Sequence, residues 1–174
     1  DDADYDGTID PRSFVTFNDE RATDEAKARV CAQYAAKVSW VDRWMGRFLD
    51  TLSKTGLDEN TAVIFTADHG THVNDFGRFG KTAPVQEPVG HTPMMLRVPG
   101  EGAGRVSAFI QPQDVFATVC RIAGVDVPPG RDSHDMLAVA RGEASPPRSF
   151  AICGGAASAR WQNAGAKLCT YYDG

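Results

Sequence analysis

No apolar run in these 174 residues approaches the ~20 that cross a bilayer, which excludes a transmembrane helix. Basic residues are not in excess either. Lys and Arg number 18 against 23 Asp and Glu, a net charge of −5, whereas a nucleic-acid surface needs a clustered basic face. Cysteine is scarce: Cys31, Cys120, Cys153 and Cys169 form no C-x-x-C pair and no finger-type metal spacing. Internal repeats and low-complexity tracts are missing. The sequence opens Asp1-Asp2-Ala3-Asp4 and not with Met. It stops at Tyr171-Tyr172-Asp173-Gly174, directly after a strand-like segment, so the expectation is a piece of a longer protein. The compartment (periplasmic, extracellular or cytoplasmic) stays open.

What is present reads as a globular α/β chain, with 42% apolar and 24% charged residues. Residues 1–22 are polar approach chain. Thr23 is a good N-cap for a long helix, with Asp24 and Glu25 at the positive end of its dipole. Val30, Tyr34, Val38, Val41, Met45, Phe48 and Leu52 then lay one apolar stripe, expected to cover a sheet, and Gly56 ends the helix. Thr61–Ala67 reads as a strand buried on both faces in a parallel sheet, with further strands at Met94–Val98 and Ser107–Ile110. Helices are expected at Asp114–Ala123 and His134–Ala140, and closing strands near Phe150–Ile152 and Lys167–Tyr172. Cys31 and Cys120 fall on apolar helical faces as small buried thiols. Cys153 and Cys169 flank a hairpin, where a disulfide is one option.

Between Ala67 and Pro93 lie about 25 residues without periodicity, holding three of the four histidines and starting at the carboxyl end of a strand. Long loops in compact domains are usually functional, and open α/β sheets place ligands at that end. Asp68 and His69 supply an oxygen and a nitrogen from a rigid position, and Gly70 lets the chain turn away. Such a pair suits a divalent cation: Mn²⁺ or Zn²⁺, or Ca²⁺ where oxygen ligands predominate elsewhere. Lys81, after Gly77 and Gly80, is placed to return a positive charge to the same mouth and hold the anionic oxygens of a substrate.

The segment Tyr34–Gly46, with Val38-Ser39 followed by Asp42 and Gly46, resembles a helix of the sulfatases in the alkaline phosphatase superfamily. Leu57–Thr61 with the strand into Asp68-His69-Gly70, the Gly80-Lys81 pair, Thr92–Gly100 and the Gln113–Val125 helix are similar to that family in order and spacing. The resemblance implies part of an alkaline-phosphatase-like mixed sheet flanked by helices. Residues 1–147 would be the later portion of the catalytic domain, and 148–174 the start of a small antiparallel C-terminal subdomain. It implies metal-dependent hydrolysis of a sulfate ester by the intact parent protein, with Asp68 and His69 as metal ligands and Lys81 as the catalytic sulfate-binding residue. Ca²⁺ leads as the cofactor, with Mn²⁺ and Zn²⁺ as alternatives. The substrate would be a sulfated small molecule or glycan, and the partner the missing N-terminal half of the same domain.

The family's nucleophile is a formylglycine made in a C-x-P-x-R or S-x-P-x-R motif, and neither occurs here; Ser145-Pro146-Pro147-Arg148 has the wrong spacing. This chain alone is therefore expected to be inactive. Asn74-Asp75-Phe76-Gly77 lacks a histidine that many sulfatases carry, for which His72 is a substitute unless it is a solvated loop residue. His91 stands where an arginine often precedes the proline, either touching substrate or capping the strand. His134 is given no role, and Arg141, Glu143 and Arg148 read as solvated surface. Two alternatives remain: a phosphonate monoester or phosphodiester hydrolase of the same superfamily, or a non-catalytic fragment.

Overall fold

Thr23 opens the first helix as a cap, its hydroxyl accepting the amide of Ala26 at 3.2 Å. That bond satisfies one of the donors a first turn leaves free. The computed structural model describes residues 23–81, 86–155 and 168–173, with backbone alone at 153–155 and 168–173. The approach chain expected at 1–22 lies outside the described residues.

Helix α1 spans Asp24–Lys54, and Gly56 then takes a left-handed conformation (φ 72°) that any side chain would strain. A single 3₁₀ turn, Leu57–Glu59, leads into strand β1, Val63–Thr66. Only Leu52 of the apolar stripe is buried, whereas Val38, Val41 and Phe48 are exposed, as are Trp40 and Trp44. The expected cover of a sheet is thus partial. Among the described residues α1 meets short elements, strand β2 (His72–Asp75) and the 3₁₀ turn, too small to occlude about eight turns of helix. Cys31 touches β2, its Sγ lying 3.8 Å from the carbonyl of Val73.

Strand β1 pairs with β4, Met94–Arg97, in antiparallel register from Val63↔Arg97 to Thr66↔Met94. The reading of β1 as a fully buried parallel strand is therefore corrected. Its residues are half-buried and Thr66 is exposed, because its described partner is one strand carrying Arg97 and the exposed Met95. Residues 107–110 form no strand, and among the described residues no strand pairs with them. Strands β2 (His72–Asp75) and β3 (Arg78–Gly80) make a second two-stranded sheet, and α2 (Glu87–Gly90) is a single turn.

Helices α3 (Asp114–Ala123) and α4 (Met136–Ala140) are joined through Thr118. Its hydroxyl donates to the Asp114 carbonyl at 2.8 Å and accepts from the Met136 amide at 3.0 Å. Asp114 is fully buried and ion-paired with Arg148, whose Nη2 is 3.1 Å from Oδ1 while Nη1 contacts Oδ2. The amides of Gln111 (2.7 Å) and His134 (3.0 Å) donate to the same carboxylate. Burial pushes this carboxyl up, but the guanidinium and the two amides outweigh it and hold it below the ordinary carboxylate value. Arg148 is consequently no solvated residue, since a charge 34 positions away draws it inside. Arg141 and Glu143 do lie at the surface, in ion pairs with Glu101 and Arg121.

Strands β5 (Phe150–Gly155) and β6 (Leu168–Asp173) close the chain as an antiparallel pair. The register sets Cys153 opposite Thr170 and Cys169 opposite Gly154; the disulfide option concerns side chains outside those described. Among the described residues the architecture is therefore mixed, helices with three two-stranded antiparallel sheets. Among the described residues no helix is long and apolar enough to cross a membrane.

Candidate functional site

Asp68 and His69 follow β1 after Ala67, and two features hold them there. The Asp68 carboxylate accepts the His69 amide at 2.9 Å, and the Gly70 amide donates to the Val89 carbonyl at 2.8 Å. Gly70 is needed for close approach: a Cβ at this position would sit 2.1 Å from the Pro88 carbonyl oxygen. The loop carrying Asp68 and His69 is thereby fastened to α2.

The hairpin β2–β3 explains how Lys81 returns. Gly80 lies opposite His72, so the next residue emerges beside the segment the chain has just left. Its turn is built by polar groups, with Asp75 Oδ2 accepting the Val73 amide at 2.8 Å and Asn74 C=O accepting the Gly77 amide at 3.2 Å. Asn74 (φ 71°) and Phe76 (φ 55°) occupy the left-handed region, and a bulge falls between Val73 and Asp75.

Lys81 Nζ thus lies 3.1 Å from His69 Nε2, and Asp68 Oδ2 lies 3.5 Å from the same nitrogen. His69 Nδ1 is 2.8 Å from the Gly70 carbonyl, an acceptor, so the proton sits on Nδ1 and Nε2 keeps its lone pair. These groups line a cleft of about 840 Å³ together with Thr66, Glu87 and His91. Val106, Phe109 and Ile110 give it an apolar side. His91 pairs through Nδ1 with Glu87 Oε1 at 3.1 Å, both side chains well exposed.

The structure thus brings Asp68, His69, Lys81 and His91 to one cleft, and it places His72 elsewhere. His72 is fully buried in the hairpin, edge-on to Phe76 at 6.4 Å between ring centroids, and does not line the cleft. Among the described residues neither ring nitrogen has a hydrogen-bond partner. Burial lowers its pKa; Asp75 pulls it up and Arg78 adds to the lowering. Glu87 and Gln111, both on the cleft wall, escape a reading of the sequence. For Glu87 a signal exists, since it stands four residues before His91, the spacing of neighbours on one helical turn.

Asp68 and His69 present one carboxylate oxygen and one imidazole nitrogen, donor types that divalent cations take. The Asp68 side chain is 87% exposed, and its Oδ2 stands 3.5 Å from a nitrogen lone pair. Adjacent ligands at Ca²⁺ distances, taken at right angles, lie roughly 3.3–3.7 Å apart. Among the described residues no group of three or more His, Cys, Asp or Glu side chains is assembled for a metal.

The family model "Sulfatase" matches residues 9–125. The chain is 33% identical to a steryl-sulfatase of Mus musculus over 161 residues, covering 80% of this chain and 26% of that protein. It is 36% identical to an endo-4-O-sulfatase of Bacteroides thetaiotaomicron over 101 residues (57% of this chain, 20% of the relative). To an arylsulfatase K of Danio rerio it is 30% identical over 131 residues (74% and 25%). Matched by that model over most of its length, the chain belongs to the sulfatase family. It spans 26% of the length of the mouse relative.

Proposed function

We propose that this chain forms part of the active site of a sulfuric ester hydrolase and that the parent protein uses one divalent cation. The reading is carried by the convergence of Asp68, His69 and Lys81 within 3.5 Å contacts at one cleft, in a chain of the sulfatase family. Asp68 Oδ2 and His69 Nε2 are the atoms offered to the cation, Nε2 once Lys81 Nζ leaves it for the substrate, with Ca²⁺ first and Mn²⁺ or Zn²⁺ as alternatives, and with further ligands and the nucleophile coming from the rest of the parent. When bound, such an ion supplies the positive charge that polarises an ester oxygen and activates a nucleophile. Lys81 binds a sulfate oxygen and offsets the negative charge that grows there as the ester bond breaks. Gly70 and its bond to Val89 keep the Asp68–His69 loop in place while this happens.

Sulfate and phosphate are both tetrahedral oxyanions, so the assay must include both. The parent protein is expected to release sulfate from nitrophenyl sulfate faster than phosphate from bis(nitrophenyl) phosphate or a phosphonate monoester. It should bind close to one equivalent of metal, and Asp68→Asn should lower metal content and turnover together. Faster phosphoryl turnover would move the assignment to the phosphonate or phosphodiester hydrolases. No turnover of either class would favour the non-catalytic reading, and unchanged metal in Asp68→Asn would remove Asp68 as a ligand.

A further inference from the structure

His72 is completely buried inside the β2–β3 hairpin, outside the cleft, and among the described residues neither of its ring nitrogens is hydrogen-bonded. A protonated ring would carry a charge and two donors, and this interior gives neither donor an acceptor. Burial is the strongest influence against the charged ring. Asp75, in the turn of the same hairpin, favours the charge, but its Oδ2 already accepts the Val73 amide at 2.8 Å. Arg78 on β3 opposes the charge. Helix α1 meets β2 through the Cys31 thiol, 3.8 Å from the Val73 carbonyl. Helix α2 also packs on β2, and its Glu87 carboxylate is engaged with His91 at 3.1 Å.

The hairpin around this ring opens easily. Its strands have four and three residues, and a two-stranded hairpin of that size is marginal by itself. Asn74 (φ 71°) and Phe76 (φ 55°) hold a conformation unfavourable to residues other than glycine. Phe76, which meets the imidazole edge-on, is itself 71% exposed. What the hairpin holds in place is Lys81. Strand β3 ends at Gly80, opposite His72, and the next residue sends its ammonium to within 3.1 Å of His69 Nε2.

We infer that His72 is an acid-operated latch and the positioning residue for Lys81. The neutral ring keeps the hairpin closed. A proton taken from water onto the ring drives it out of the interior, opens β2–β3 and withdraws Lys81 from the cleft. The direction follows from linkage: in the open hairpin the ring meets water and binds a proton below about pH 6.5, which the closed hairpin resists. Acid therefore favours the open form, by at most about tenfold for each pH unit. The consequence for Lys81 rests on the sulfatase reading above; the opening itself does not.

The test uses the full-length parent protein with His72→Met and His72→Leu. Amide hydrogen exchange, corrected for the chemical rate, is read at pH 7 and pH 5 for the hairpin, including the Gly77 amide, with the Val125 amide at the end of α3 as reference. Hairpin protection relative to Val125 is expected to fall about tenfold at pH 5 in the wild type and to hold in both variants. On nitrophenyl sulfate, the wild-type-to-variant ratio of kcat/KM should drop severalfold between pH 7 and pH 5 and recover on return to pH 7. Other titrating groups act on all three proteins alike and cancel in that ratio. Hairpin protection independent of pH in the wild type would overturn the latch, as would an equal fall in the variants. An opened hairpin with an unchanged ratio would overturn the positioning of Lys81. If no sulfate ester is turned over at either pH, the sulfatase reading fails and the exchange measurement still decides the latch. Should neither variant fold, exchange in the wild type decides it alone.

Discussion

The ammonium of Lys81 lies 3.1 Å from Nε2 of His69, twelve residues earlier in the chain, with the β2–β3 hairpin folded between them. One bond thus joins the residue proposed to hold the substrate's anion to one proposed to hold the metal. In the parent protein, Lys81→Ala should lower kcat about 10²–10³-fold, the usual cost of deleting one charge-stabilising donor. Metal content should stay at the wild-type level. Turnover assays with elemental analysis check both, and lost metal in this variant would show that Lys81 supports the ligands instead of the substrate.

Gly70→Ala makes a different prediction. The added methyl would lie 2.1 Å from the Pro88 carbonyl oxygen, a backbone atom that can yield only if α2 moves. Overpacking of this kind costs about 1–3 kcal/mol. A fall of that size in the unfolding free energy, read as a lower denaturant midpoint, is expected with a loss of turnover, since Asp68–His69 and Glu87–His91 separate when the backbone bond to Val89 breaks.

Acid sensitivity should centre on His72. Its pKa is lowered in the folded state, first by burial, so the unfolded chain binds more protons below the ordinary value near 6.5. Stability from neutral His72 is therefore fully present above about pH 6.5 and declines as pH falls below it. Asp75 and Arg78 act on the ring in opposite directions, and Phe76 meets it edge-on. Urea titrations at pH 5 and 7 on wild type and His72→Met should show a pH-dependent loss only in the wild type. Equal losses in both would assign the sensitivity elsewhere.

A fourth prediction concerns the buried pair. Arg148→Met would leave the Asp114 carboxylate enclosed with only two amide donors, and breaking such a pair costs about 3–5 kcal/mol. Adding Asp114→Asn removes the uncompensated charge and should recover part of the loss. The double variant measured by denaturant unfolding checks this, and no recovery would mean that the pair's charge is not what matters.

Short-range chemistry was the legible part of this chain. Thr23 as a cap, Gly56 as a stop and the apolar spacing of Asp114–Ala123 each follow from rules acting within one or two turns, and each is found where those rules put it. Asp68, His69 and Lys81 could be singled out by type and spacing, yet their meeting depends on a hairpin that the residue pattern hides. Two of its residues have positive φ without being glycine, and its strands are three and four residues long. What failed was anything set at a distance. Residues 107–110 end in an apolar run that reads as a strand but have no described partner to pair with. Arg148 looks like a surface charge until Asp114, 34 positions away, draws it inside. Loss of solvent around His72 likewise comes from the fold and not from its neighbours in sequence.

The Asp114 carboxylate gathers hydrogens from three separate stretches of chain, at Gln111, His134 and Arg148. Two of those hydrogens belong to backbone amides, which can trade with deuterium only when the carboxylate lets go. Gln111 and His134, 23 positions apart, should therefore exchange at a common rate, so that a single isotope-labelling time course reports whether this corner opens as one body.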